Sequence, residues 1–213
     1  MKKQLTIAFL LLIGYTSTSQ TQTKTETETN DHNVAFIVRG KLGFAKYNET
    51  GNISLNGFVN GSDFLFSFKV GKKTYIETGF GFLEFDGNPT ISGNSVSIKN
   101  SYLHFPVQLN GDFNLFDSKD ENPNILLNIG VGLYANTLLK SEVETVLGND
   151  SAKNLGWNFG ISTQVGAKFI VSKAVNIGLG LESQSDFNKM KKDGVERKIE
   201  HMNAFYFSLT LKN

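Results

Sequence analysis

The chain has 213 residues, no cysteine, 21 basic and 20 acidic side chains for a formal net charge of +1, and 18 phenylalanines. Near-neutral charge excludes a nucleic-acid binder driven by counterion release, and zero cysteine excludes a disulfide framework, a Cys-ligated metal or cluster, and a lipid-modified cysteine. Charged residues make up only 19%, below the roughly 25% of an ordinary soluble domain, so part of the surface is expected to face something other than water.

Residues 1–20 carry the three parts of a secretory signal peptide: Lys2 and Lys3, the apolar run Ile7 to Ile13, and small residues from Thr16 to Ser19. The apolar run is far shorter than the roughly 20 residues of a membrane-spanning helix, so cleavage rather than anchoring is expected. Residues 21–33, with Thr and Glu alternating around Lys24, offer nothing apolar to bury and read as a disordered tether. The remaining 34–213 form one domain.

From residue 34 onward apolar side chains recur at every second position, the period of a strand. Eight such segments follow one another. They are represented by Phe36 to Phe44, Phe64 to Val70, Ile76 to Phe82, Leu103 to Leu109, Ile125 to Leu133, Trp157 to Phe169, Val175 to Leu181 and Phe205 to Leu211. The apolar parity carries no charge in any of them, whereas the other parity is rich in Gly, Ser, Asn and Gln and holds Arg39, Lys41, Lys69, Glu77, Lys168 and Glu182.

Two architectures share that pattern, a soluble lipocalin-like carrier with the apolar face inside and a membrane barrel with it outside. An eight-stranded barrel has an interior just wide enough for side chains to fill. A dozen phenylalanines would overfill it, while glycine and small polar residues suit it. A lipid-facing charge costs on the order of 2 to 4 kcal/mol at mid-depth, which accounts for its absence from the apolar parity. The expected fold is therefore all-β, an eight-stranded antiparallel up-and-down transmembrane β-barrel.

Gly71-Lys72-Lys73 and Ser172-Lys173-Ala174 read as tight turns on the periplasmic side, with 110–124 as a longer third connection. Residues 45–62, 84–100, 135–155 and 183–203, rich in Gly, Asn, Ser, Asp and Lys, read as four outer loops. Strands of about ten residues are expected between them.

The stretch Tyr102-Leu103-His104-Phe105-Pro106-Val107 resembles the Tyr-Leu-x-Ile-Pro-Leu signature of the PorT-like outer-membrane β-barrel proteins of Bacteroidota. Eight-strand spacing and the pairs Gly79/Gly81, Gly130/Gly132 and Gly178/Gly180 fit that group. The resemblance implies an outer-membrane barrel, in a family most of whose members have no assigned activity. Proline cannot donate to a ladder, so Pro106 in mid-strand implies a bulge or a local opening.

The six charged lumen residues read as an ion-pair network plugging the barrel, because buried charges need partners. Four cations facing two carboxylates leave a narrow pore or solute-binding barrel as the alternative. Tyr102, His104 and Gln108 read as polar lumen filler. His32, His104 and His201 form no metal-binding or triad spacing. The acidic run Asp112, Asn114, Asp117, Asp120 and Glu121 lacks the glycine and terminal glutamate of a calcium loop. No catalytic residue, cofactor or metal is expected. The expected partners are outer-membrane lipid, the barrel assembly machinery during insertion, and a periplasmic or surface protein. Phe113, Leu115 and Phe116 are the residues expected to meet a periplasmic partner or fold onto the rim.

Overall fold

Alternation of large apolar with small or polar residues commits each segment to a strand with two unlike faces. In the computed structural model these strands close on themselves. The structure describes residues 34–50, 53–91, 94–115, 125–145, 148–153, 155–192 and 194–212. The expected signal peptide, the tether with His32, and Phe116, Asp117, Asp120 and Glu121 lie outside the described residues.

Eight long strands make the wall: β1 (Val34–Glu49), β2 (Ile53–Lys69), β3 (Thr74–Gly87), β6 (Ser97–Asn114), β7 (Ile125–Thr145), β9 (Trp157–Ile170), β10 (Val175–Asp186) and β12 (Val195–Lys212). Four short ones decorate it: β4 (Thr90–Ile91), β5 (Asn94–Ser95), β8 (Gly148–Lys153) and β11 (Met190–Lys192). Each wall strand pairs antiparallel with the next, and β1 pairs with β12 to close the ring. The fold is an all-β, eight-stranded antiparallel up-and-down barrel. At one end tight turns around residues 71–73 and 172–174 join β2 to β3 and β9 to β10, with Val70 and Val171 donating to Thr74 and Val175 carbonyls. At the other end stand the hairpins that carry β8 and β11.

The phenylalanines point outward. Phe44 and Phe205 are each 71% exposed, and Leu133, Phe207, Val131 and Leu179 join them in an apolar belt around the wall. Across the belt, rings meet on adjacent strands, as in Phe36–Phe66 at 5.7 Å and Phe64–Phe80 at 5.6 Å, and Phe105 on β6 stacks on Trp157 of β9 at 5.8 Å across β7. The orientation is the reverse of a lipocalin's, and it makes the belt the lipid-facing band of a transmembrane barrel.

The strands are longer than the sequence pattern predicts. They run from 12 residues in β10 to 21 in β7, so β7 is about 70 Å long, whereas the apolar band of such barrels is only about 25 Å tall. Much of each segment expected as an outer loop is therefore wall. The physical reason is a change of phase. Above the belt the inner face turns apolar and the outer face polar, which hides the period from a pattern keyed to one parity. Tyr47, Leu55, Val59, Leu83, Phe85, Ile98, Leu138, Met190, Ile199 and Met202 pack into one buried cluster inside. Outside at that level Lys46 pairs with Glu200 at 2.7 Å, and the hydrogen bond from Lys46 holds the Glu200 carboxyl below its usual range.

Two irregularities mark the level of the change. Register shifts fall between Lys46 and Tyr47 in the β1–β12 ladder and between Ser101 and Tyr102 in the β6–β7 ladder, where one extra residue on the partner strand re-aims those beyond it. Pro106 lies elsewhere. Its β7 pairing keeps register with Tyr134, while the β3–β6 ladder lacks pairs between Thr78–Val107 and Gly81–His104. The opening expected at proline is thus a gap on one side, and the Thr78 hydroxyl donates to the Pro106 carbonyl at 3.0 Å.

Candidate functional site

Alternation delivers inward from β1, β2, β3 and β10 a set of ionised side chains to one level of the lumen. Arg39 Nη2 lies 2.9 Å from Glu77 Oε2, and its Nη1 donates to Gln108 Oε1 at 3.2 Å. The guanidinium sits 4.9 Å from the Tyr206 ring centre, a cation–π arrangement. Lys41 Nζ lies 2.8 Å from Asp63 and 3.3 Å from Glu182, which in turn accepts from Gln184 at 2.5 Å. Gln108 continues the network by donating to Ser162 Oγ at 3.1 Å. Arg39, Lys41, Asp63, Glu77 and Glu182 are all buried.

Glycine on facing strands makes room for this plug. A Cβ on Gly180 would stand 2.4 Å from the Val165 carbonyl oxygen and 2.7 Å from the Tyr206 ring. Gly180→Ala is expected to destabilise the barrel by about 1 to 3 kcal/mol through overpacking, read as a lower urea midpoint in lipid vesicles.

Closer to the turn end Lys168 grips both Asp112 oxygens at 2.8 and 2.7 Å, and Asn128 donates to Asp112 at 2.7 Å. Lys69 lies half-buried at the same rim, opposite Tyr75. At the other boundary Asp186 accepts from the Tyr134 hydroxyl at 2.7 Å, the Ile199 backbone at 2.7 Å and the Asn158 amide. Asp186 thereby fastens β10 to β7, β9 and β12 where β10 ends.

Of the residues singled out by sequence, Arg39, Lys41, Glu77 and Glu182 meet in one network, and Gln108 bridges it to β9. Lys168 belongs to the separate Asp112 pair. His104 packs 5.5 Å from the Tyr134 ring, with Nδ1 2.6 Å from Asn136 Oδ1. Tyr102 is not polar lumen filler, because it lies inside the apolar cluster above the belt. Pro106 lies within the ladder gap, and Leu103 pairs with Phe82 beyond it.

Asp63 and Asp186 are inward acids missing from the sequence reading, and Asp112, placed there in an acidic connection, is a third inward acid, on β6. Each continues a parity already visible: Asp63 precedes Leu65, Ser67 and Lys69, Asp112 follows Gln108 and Asn110, and Asp186 follows Glu182 and Gln184. With Asp63 present, the deep lumen sets Arg39 and Lys41 against three carboxylates among the described residues. It is not the basic passage that four cations and two carboxylates suggest. Among the described residues no three His, Asp or Glu side chains are grouped to hold a metal.

No protein-family model matches the sequence, and no curated protein matches it significantly. Solved structures resemble the fold. Neisserial surface protein A aligns at 13% identity and a TM-score of 0.49, covering 84% of this chain and 99% of that one. Ail, the attachment invasion locus protein of Yersinia pestis, aligns at 13% identity and 0.37, covering 84% and 99%. The N-terminal β-barrel domain of Pseudomonas aeruginosa OprF aligns at 7% identity and 0.40, covering 84% and 98%. At these values the assignment of fold rests on this chain's own ladders and outward belt.

The interior offers ionic contacts across the wall rather than a surface for a ligand. Charges buried in pairs hold position strongly once formed, since separating either partner leaves an uncompensated ion. The arrangement suits a rigid plug.

Proposed function

We propose that the chain is a small non-enzymatic barrel of the bacterial outer membrane, a plugged scaffold that presents the β7–β8 and β11–β12 hairpins outside the cell. The observation that carries this reading is the conjunction of an uncharged outward belt with a lumen crossed by Arg39–Glu77 and Lys41–Asp63 pairs. The tight-turn end then faces the periplasm, as short turns do in such barrels. Export by the segment 1–20, followed by assembly-machine insertion, fits the signal-peptide pattern of the sequence. The Tyr102 to Pro106 stretch supports a place beside the PorT-like proteins of Bacteroidota, and a surface or periplasmic protein is the partner class that a scaffold without a passage would serve.

Expression in a Gram-negative host tests the reading. The protein is expected in the outer-membrane fraction, with a gel band that shifts on heating and no step conductance in planar bilayers. Recovery from the periplasm without detergent would overturn the membrane reading, and stable conductance steps would overturn the plug.

A further inference from the structure

On the belt, Gly40 stands between Ser62 on β2 and a run of bulky side chains on the other side. Its rung partner on β12 is Phe207, next in line is Leu179 on β10, and one rung away lies Leu42 with Phe205 and Leu181. Together they border a groove of about 780 Å³ in the outer wall. Nothing in the barrel requires glycine at its floor. A Cβ on Gly40 would meet no atom within 4 Å, and the residue has no left-handed backbone. The glycines behind the plug, by contrast, are crowded from the opposite strand. The space above Gly40 is therefore a feature of the outer surface rather than a by-product of packing.

The groove is also polarised. Its β2 end is Asn60, with Gly61 beside it, where Asn60 and Ser62 interrupt a column otherwise made of Phe58, Phe64, Phe66 and Phe68. Asn60 sits on the rung of Glu84, an exposed carboxylate at the edge of the belt. From there the groove crosses β1 and β12 to reach Leu179 and Leu181 on β10. Four strands at sheet spacing span about 14 Å along the rungs, and strands tilted by about 40° carry that line obliquely through the hydrocarbon. An amide at one end and an apolar floor beyond match one molecule type: a lipid, its acyl carbonyl accepting from Asn60 and its chain lying over Gly40.

We infer that the Gly40 groove is a site for one acyl chain of an outer-leaflet lipid. This rests on the membrane-spanning reading above. Trp157 is the single tryptophan, so a Trp157→Phe background accepts reporters cleanly. Phe207→Trp places one at the groove and Val131→Trp places one on a wall without it, both midway along their belts. The barrels are reconstituted in vesicles containing a low mole fraction of chain-brominated phosphatidylethanolamine, and quenching is read.

The groove reporter is expected to quench about threefold more than the control. Adding Gly40→Phe, whose Cβ meets no atom within 4 Å and whose ring fills the groove, is expected to reduce it to the control level while the heat-shifted band persists. Equal quenching of the two reporters at low bromine content would overturn the site. A groove reporter shielded from bromine in a barrel that crosslinks as a dimer would assign the groove to a second copy and also overturn it. If neither reporter quenches in fully brominated vesicles, the membrane-spanning reading itself fails, which separates the two outcomes.

Discussion

Lys41→Met is expected to lower the unfolding free energy in vesicles by about 3 to 5 kcal/mol, because a removed ion leaves its buried partners uncompensated. Lys41 is the cation shared between Asp63 at 2.8 Å and Glu182 at 3.3 Å, so its loss leaves two carboxylates with only Arg39 nearby, 3.9 Å from Glu182. The measurement is a urea titration followed by tryptophan emission from Trp157 and by the heat-shifted band. A Lys41→Met/Asp63→Leu pair is expected to recover a large part of the loss, since it removes the stranded charge along with its partner. A single variant with the wild-type midpoint would show that the plug contributes nothing to holding the wall together.

Three arginine substitutions separate the two halves of the barrel. Val131→Arg, on the outer belt, is expected to cost about 2 to 4 kcal/mol, the expense of a charge at mid-depth in lipid. Asn56→Arg, exposed on β2 above the belt, is expected to change stability by less than about 0.5 kcal/mol. Val59→Arg is three residues away on the same strand but fully buried in the upper apolar cluster, where an unpaired charge has no partner and lipid is not the neighbour. It is expected to fail assembly or to unfold at much lower urea than Asn56→Arg. If Val59→Arg were tolerated like Asn56→Arg, the upper interior would be open to water, and the inversion of polarity along the wall would be wrong.

Much of this barrel could be read from one parity. The belt segments from Phe36 to Leu211 contain no charge on their apolar phase, and volume alone sends that phase outward, so strand number, sheet type and lipid-facing surface follow from residue order. The same rule failed above the belt for a physical reason. Tyr47, Leu55, Val59, Leu83 and Phe85 keep the inward parity but exchange small polar for large apolar character, because the solvent on the far side of the wall changes from lipid to water. A reader following apolar residues loses the strand there and sees only Asn, Gly and Lys. The acids were missed similarly. Asp63 and Asp186 lie on the inward phase just past the point where the apolar phase appeared to stop. Pairing across the lumen was not legible at all, since which rung meets which depends on the stagger of eight strands, and that stagger is set by ring closure.

The polar skin above the belt has a consequence for how the molecule reaches its place. In the proposed orientation Lys46, Glu84, Lys99 and Glu200 stand beyond the hydrocarbon, on the side away from the tight turns, so a barrel inserted from the turn side would carry each through it, and none could retreat without being dehydrated again. Entry and exit are then unequal journeys. Unfolding inside a bilayer should lag refolding into one, with a hysteresis between the two urea curves that narrows when those four surface charges are neutralised.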